Sequence, residues 1–175
     1  VKAFPGKAVA FIDTTEDGRK IGLRAYADTA PSEAYLFDRD TGKAKFLAAS
    51  REWIKPAEMS TMKPVEVKAR DGLVLHGYLT IPNGSNGKNL PLIINPHGGP
   101  HGPRDEWGFN PEVQLLANRG YAVLQMNYRG SGGYGNAFER AGYRKWGTTM
   151  QDDLTDSVKW AIAQGIADPN RVCIY

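Results

Sequence analysis

The segment with the clearest chemical potential is Asn95–Gly102 (NPHGGPHG), which directly follows the apolar run Leu92–Ile94. Its two adjacent glycines allow backbone N–H groups to turn toward a bound oxygen, because no Cβ stands in the way. An enzyme that transfers acyl groups needs such N–H groups to form an oxyanion hole. The segment therefore predicts anion stabilisation by backbone amides, although a glycine–proline turn without function would have the same composition.

A metal site is the alternative interpretation of this segment. His97 and His101 have the four-residue spacing of a histidine pair on one helix face. Two glycines and a proline lie between them, however, and these residues disfavour a helix. With three histidines and the single cysteine Cys173, the chain has no ligand set of the zinc type and no internal disulfide. We therefore expect neither a metal nor another cofactor.

A second glycine-rich segment, Asn127–Gly135 (NYRGSGGYG), follows another apolar run. It does not match the phosphate-binding pattern GxxxxGK[ST]. Gly130–Gly135 has the spacing GxGxxG of dinucleotide sites, but this spacing alone is weak evidence for a nucleotide site. Ser131 resembles a nucleophile, but the elbow pattern GxSxG would need a glycine where the chain has Arg129. No other serine of the sequence lies in an elbow pattern, so neither phosphate binding nor a serine nucleophile is expected here.

The elements before Met62 read as short strands separated by turns. Short apolar stretches separated by turns lie at Ala8–Ile12, Ala34–Phe37 and Ala44–Leu47, and between them Ile21, Leu23 and Ala25 alternate with more polar neighbours. Such a pattern is typical of half-buried antiparallel strands. Four short strands cannot bury both faces of their sheet, so we interpret residues 1–62 as the last blade of a β-propeller followed by a linker. A free-standing small sheet is the alternative.

Residues 63–175 have the pattern of an α/β domain. Two alternating stretches on either side of Asp71-Gly72 predict an antiparallel pair of strands, in which His76 is given no chemical role. The continuous apolar run Leu92–Ile94 then predicts a strand covered on both faces. Tyr121–Met126 is predicted as the next strand, and the residues from Arg171 onward are predicted to begin another buried strand.

Two helices are predicted between these strands. One runs over residues 111–119, with Asn110 as its cap, Pro111 at its first position and Gly120 as its stop. The second begins at Thr149–Asp152, which resembles a capping box. Three carboxylates crowd its first turns and are interpreted as solvated groups that favour the helix dipole, namely Asp152, Asp153 and Asp156.

The composition argues against several classes of protein. The 22 basic residues exceed the 19 acidic ones by three, and this excess is spread over both halves, so no basic arm for nucleic acid is present. The longest apolar runs are about as long as Ala8–Ile12, whereas a bilayer span needs roughly 20 residues. We expect a soluble protein without nucleic-acid or membrane partners. The first residue is Val rather than Met, so the start of the protein and any signal sequence lie outside the given sequence. The sequence therefore does not decide between cytoplasm and periplasm.

Taken together, these segments resemble the prolyl oligopeptidase family of serine peptidases, in which a β-propeller accompanies an α/β-hydrolase domain. The matching residues occur in the order and spacing of the family within residues 64–175, at Pro96–His101, Asn127–Gly135, Trp146-Gly147, Asp152-Asp153 and Asp168–Val172. The resemblance implies an α/β fold: the N-terminal half of an α/β-hydrolase domain, preceded by antiparallel strands of a propeller blade.

The resemblance also implies acyl transfer. A serine on an elbow after the strand that begins at Arg171 would attack a peptide carbonyl, with Asp and His partners further along. This elbow would follow Tyr175, so the 175-residue chain alone would lack the triad and be inactive. By position, the backbone amides of Gly98 and Gly99, Gly99 foremost, would face the oxyanion. His97 would either donate from its ring or shape the loop.

The resemblance also implies that three further residues shape the loops around the oxyanion hole, namely Arg129, Tyr134 and Trp146. The implied function is a peptidase of the prolyl oligopeptidase, dipeptidyl or acylaminoacyl peptidase type that acts on short peptides through an acyl-enzyme. The alternatives are an esterase or lipase on the same fold and a non-catalytic binding relative. The implied partners are short peptides and the remaining half of the hydrolase domain with its propeller. Without them, we expect an unpaired sheet edge that promotes association.

Overall fold

The computed structural model describes residues 3–175, which divide into two compact units. The first unit contains the residues up to Met59 together with Gly108–Asn110. The second contains Ser60–Trp107 and Pro111–Tyr175. Each unit has its own β-sheet, and both segments discussed above for their chemistry belong to the second unit.

The first unit is a four-stranded antiparallel sheet in which each strand pairs with its neighbour in sequence. Its strands are β1 Ala8–Thr14, β2 Lys20–Tyr26, β3 Glu33–Asp38 and β4 Lys43–Ala49. The turn between β3 and β4 forms because Asp38 Oδ1 accepts hydrogen bonds from the backbone N–H groups of Asp40 and Thr41, both at 3.0 Å. The predicted blade strands are therefore confirmed.

The second unit is a mixed five-stranded sheet with the order β5-β6-β8-β7-β9. Its strands are β5 Met62–Lys68, β6 Val74–Thr80, β7 Leu90–Ile94, β8 Ala122–Asn127 and β9 Ala167–Ile174. The first two strands form an antiparallel hairpin, whereas β7 pairs in parallel with both β8 and β9. Three helices lie between the strands, α1 Pro111–Asn118, α2 Asn136–Ala141 and α3 Thr149–Ala163.

Strand β8 lies at the centre of this sheet, and all six of its residues are buried. Leu124 and Met126 belong to the main hydrophobic cluster, which also contains Met150 and Leu154 of α3. Because side chains alternate along a strand, Gln125 and Asn127 point to the other face. One face at the carboxyl end of β8 is therefore apolar and the other is polar.

The start of α3 differs from the predicted capping box. Thr149 is the first helical residue rather than the cap, and Thr148 occupies the cap position without a side-chain capping bond. The Thr148 hydroxyl instead donates to the backbone oxygen of Lys145 at 3.0 Å. The capping-box prediction is therefore wrong, because the cap position lies one residue before Thr149.

Candidate active site

Two loops meet at one edge of the mixed sheet. The β7 loop, residues 95–107, and the β8 loop, residues 128–135, start from parallel neighbouring strands, whose carboxyl ends lie at the same edge. The backbone N–H of Gly102 donates to Gly130 O at 3.1 Å, and that of Gly132 donates to Gly102 O at 3.1 Å. The two predicted segments are thus brought together.

Close backbone approach explains two of the glycines in this region. A Cβ on Gly132 would overlap the backbone oxygen of Gly102, so any side chain there would separate the two loops. A Cβ on Gly142, just after α2, would lie 2.6 Å from Gly130 Cα. Gly132 and Gly142 therefore serve the close packing of the loops.

The backbone amides of Gly98 and Gly99 have the properties that an oxyanion hole requires. Both residues are exposed, and neither N–H donates a hydrogen bond to any of residues 3–175. A Cβ built on Gly98 would meet no heavy atom within 4 Å, so there is open space beside it. Gly99 has a φ of 146°, a conformation that favours glycine.

His97 lies between the two loops, and both of its ring nitrogens are engaged. Nδ1 is 2.8 Å from the backbone oxygen of Gly98, and Nε2 is 2.7 Å from Ser131 Oγ. The ring stacks on Tyr128 with centroids 4.6 Å apart, and the Tyr128 hydroxyl donates to His97 O at 2.7 Å. The contacts of this ring therefore connect the β7 loop to the β8 loop.

The contact between Ser131 and His97 resembles a nucleophile–base pair, but its surroundings differ. Ser131 is fully buried, so a substrate carbonyl has no access to its Oγ. The Ser131 hydroxyl also lies 2.7 Å from the backbone oxygen of Tyr128 and can donate to it. These contacts give Ser131 a place in the support of the loops, in agreement with the absence of an elbow pattern.

Arg129 is buried at the base of the β8 loop, where it contacts two other parts of the unit. Its Nη2 and Nε lie 2.7 and 2.8 Å from the two carboxylate oxygens of Asp153 on α3. Its Nη1 lies 2.7 Å from Asp71 in the β5–β6 turn. The hydrogen bond from Arg129 lowers the pKa of Asp71. In turn, the hydrogen bonds to Asp153 and Asp71 raise the pKa of Arg129.

The carboxylates at the start of α3 form ion pairs with arginines. Asp153 is fully buried against Arg129, so its interpretation as a solvated group is wrong. Asp152 and Asp156 pair with Arg70 at 2.7 and 2.8 Å, and this pairing lowers the pKa of Asp156. The cluster therefore connects α3 to the β5–β6 turn and to the β8 loop. Sequence reasoning missed it because the partners are 24 to 86 positions away.

Tyr134 and Trp146 have different surroundings. The Tyr134 hydroxyl accepts a hydrogen bond from Asn127 Nδ2 at 2.8 Å, and its ring stacks on His76 with centroids 4.5 Å apart. Trp146 is 79% exposed and borders a cleft of about 240 Å³ whose lining includes His97 and Tyr128. Tyr134 thus belongs to the support of the β8 loop, whereas Trp146 lies at an open surface beside the β7 loop.

Sequence reasoning missed a polar cluster below the β7 loop. The Asp105 backbone N–H donates to Asn127 Oδ1 at 2.8 Å, and Asn127 Nδ2 donates to Asp105 O at 3.0 Å. Gln125 Nε2 donates to Asp105 Oδ1 at 2.8 Å. The available signal was a pair of amide side chains two positions apart in an otherwise apolar central strand. Such residues need buried polar partners.

Within residues 3–175, no group of three or more His, Cys, Asp or Glu side chains is arranged to hold a metal ion. In the same range, no helix has both the length and the apolar composition for crossing a membrane.

A four-stranded antiparallel sheet, together with a mixed sheet whose parallel strands carry glycine-rich loops at their carboxyl ends, is typical of a propeller blade and of part of an α/β-hydrolase domain. The sequence model described as the prolyl oligopeptidase family matches residues 107–175. Dipeptidyl aminopeptidase BIII of Pseudoxanthomonas mexicana is 38% identical over 178 residues, a match that covers 97% of this chain and 25% of that protein. The chain belongs to the prolyl oligopeptidase family.

Solved structures agree with this assignment. A puromycin-hydrolyzing peptidase of Mycobacterium tuberculosis matches with a TM-score of 0.77 and 28% identity, over 90% of this chain and 25% of that one. An acylaminoacyl peptidase of Pyrococcus horikoshii matches with a TM-score of 0.73 and 28% identity, over 94% and 26%. The chain thus spans about a quarter of the length of the relatives it matches.

Proposed function

We propose that the complete gene product containing this chain is a serine peptidase that hydrolyses short peptides through an acyl-enzyme. The observation that carries the proposal is the pair of exposed, unpartnered backbone amides at Gly98 and Gly99. They follow β7, which pairs in parallel with β9, the strand after which the family has its nucleophile. N–H groups in this position would stabilise the negative charge of a tetrahedral intermediate.

The other site residues act on the loops in this proposal. His97 holds the β7 loop against Ser131, and its ring nitrogens are occupied in doing so. Arg129 and Tyr134 shape the β8 loop, and Trp146 borders the cleft beside it. The serine, aspartate and histidine of the triad come from the rest of the gene product.

The domain assignment is part of the same proposal. Residues 1–62 form the last propeller blade with its linker, and residues 63–175 form the first part of the peptidase domain. The partners are short peptide substrates and the remaining half of the peptidase domain with its propeller. The peptidase names of the relatives favour peptides over esters as substrates.

The experiment is hydrolysis of chromogenic dipeptide amides and of short-chain esters by the complete gene product. We expect amide hydrolysis that a serine-directed organophosphonate abolishes, because the acyl-enzyme forms on a serine. Cleavage of esters alone would assign the protein to the esterases instead. Absence of both activities and of organophosphonate labelling would leave only a binding role.

Substitution of Ser131 separates the buried Ser131–His97 contact from a catalytic pair. We expect Ser131→Ala to reduce kcat/KM for a dipeptide amide by no more than about tenfold, the range of one lost hydrogen bond. Organophosphonate labelling should continue at the wild-type stoichiometry. A variant that can no longer be labelled would make Ser131 the nucleophile and would overturn the proposed arrangement.

A further inference from the structure

Two buried oxygen atoms near the β7 loop lack a hydrogen-bond partner. Among the side-chain polar atoms of residues 3–175, Asp105 Oδ2 and Gln125 Oε1 are enclosed but unpaired. The two atoms belong to one pair of groups, because Gln125 Nε2 donates to Asp105 Oδ1 at 2.8 Å. Gln125 as a whole is only 2% exposed. Buried acceptors without a donor are rare in folded proteins.

One proton would provide a donor for this pair. An ionised carboxylate and an amide oxygen can only accept hydrogen bonds, so Asp105 Oδ2 and Gln125 Oε1 cannot form a hydrogen bond with each other while Asp105 is ionised. A protonated carboxyl has an O–H donor on one oxygen and keeps an acceptor on the other. Such a group can accept from Gln125 Nε2 and donate to Gln125 Oε1 at the same time.

The charges around Asp105 do not favour its ionised form strongly. In the described residues, no Lys, Arg or His lies within ion-pair distance of Asp105, and Arg104 instead pairs with Glu106 at 3.0 Å. Burial raises the pKa of Asp105, whereas the more distant charge of His97 and the bond from Gln125 lower it by less. The remaining titratable neighbour is Tyr128 at the end of β8, whose own pKa is raised by burial and by Asp105.

We propose that Asp105 is protonated at neutral pH and donates from Oδ2 to Gln125 Oε1. The resulting neutral pair of carboxyl and amide groups would connect the end of the β7 loop to the central strand β8 by two hydrogen bonds. It adds to the two bonds between the Asp105 backbone and the Asn127 side chain, which hold the same point. Asp105 is thus a positioning residue for the loop that carries Gly98 and Gly99. This consequence for catalysis rests on the proposed function, whereas the protonation itself does not.

Infrared spectroscopy of the complete gene product tests the protonation directly. At pH 7 we expect a carbonyl stretching band of a protonated carboxylic acid that Asp105→Asn removes. The matched control is Glu106→Gln, which removes the adjacent exposed carboxylate and should leave the band unchanged. The absence of a band that depends on Asp105 would overturn the proposal and would indicate an ionised carboxylate bound to trapped water. The band needs no turnover, so an inactive enzyme would contradict the proposed function only.

Thermal unfolding provides a second, independent measurement. A carboxyl whose pKa is raised on folding binds its proton more tightly in the native state. Its contribution to stability is therefore present at acidic pH and is lost as the pH rises through the raised native pKa. Asparagine reproduces the neutral carboxyl without titrating, so Asp105→Asn should gain thermal stability relative to wild type between pH 4 and pH 7.

The unfolding midpoint of Asp105→Asn should exceed that of wild type by an amount that grows as the pH rises toward the raised native pKa. Asp105→Ala, which removes both bonds to Gln125, should unfold at a lower temperature than wild type at every pH. A difference between Asp105→Asn and wild type that does not change with pH would contradict the proposed proton. Equal destabilisation by Asn and Ala would do the same.

Discussion

Replacing Asp153 with alanine is expected to lower the free energy of unfolding by about 3–5 kcal/mol, the effect of breaking a buried ion pair on one side. Asp153 is fully buried and accepts hydrogen bonds from the side chain and the backbone N–H of Arg129. Its removal leaves a buried guanidinium whose side-chain partner among residues 3–175 is then Asp71 alone. Urea unfolding of the complete gene product, followed by tryptophan fluorescence, measures the change.

The preceding carboxylate is a matched control. Asp152 carries the same charge one residue earlier on α3, but its side chain is 43% exposed and its partner Arg70 is 48% exposed. Asp152→Ala should therefore lower the free energy of unfolding by only about 0–1 kcal/mol. Equal losses in the free energy of unfolding for Asp153→Ala and Asp152→Ala would show that burial of the Arg129–Asp153 pair does not determine its contribution to stability.

A double replacement distinguishes the pair from its individual charges. Arg129→Met combined with Asp153→Leu removes both buried charges together, and apolar substitutes of similar size often restore much of the stability. Recovery should be incomplete here, because Asp71 would lose its arginine and the backbone N–H of residue 129 would lose its acceptor. A double variant less stable than Asp153→Ala would contradict this account.

Gly99→Ala should reduce kcat/KM for a dipeptide amide by about 10²–10³-fold, the effect of losing one oxyanion donor. At a φ of 146° an L side chain is strained, and a Cβ would lie 2.9 Å from Pro103 Cγ. The backbone must therefore rotate, which turns the Gly99 N–H away from its present direction. Steady-state kinetics of the complete gene product measure the loss, and the organophosphonate should still label the serine.

Gly98→Ala is the appropriate comparison for this variant. Its added Cβ would meet no heavy atom within 4 Å, its φ lies outside the left-handed region, and its N–H is retained. We expect a much smaller loss of kcat/KM than for Gly99→Ala. If the two variants lost activity equally, the direction of the Gly99 amide would not be the cause.

The local signals in the sequence were sufficient for the strands and for two of the three helices, whereas α2 was not predicted. Short apolar stretches separated by turns predicted the blade strands, and the run Leu92–Ile94 predicted a buried parallel strand. Pro111 and Gly120 predicted the bounds of α1 to within a residue. These signals work because strand alternation and helix termini depend on a few consecutive residues.

The contacts that support the candidate site could not be obtained in this way. A sequence shows that Asp153 is charged but not that Arg129 is buried against it, and an unpaired carboxylate near a helix start is ordinarily solvated. The same applies to Asp105 and Gln125, which are 20 positions apart and belong to a loop and a strand. Their environment depends on which segments pack together.

The amino-acid sequence by itself thus determined the strands, the helices α1 and α3, the family, and the glycine pair at the end of β7, since each of these follows from residues that are close in sequence. Only the tertiary structure decided that the ring of His97 is occupied by Ser131 and Gly98, that Arg129 connects three parts of the unit, and that two buried oxygens lack a donor. The physical reason is that burial and hydrogen-bond partnership depend on distant segments, and the energies of polar groups change most when water is excluded.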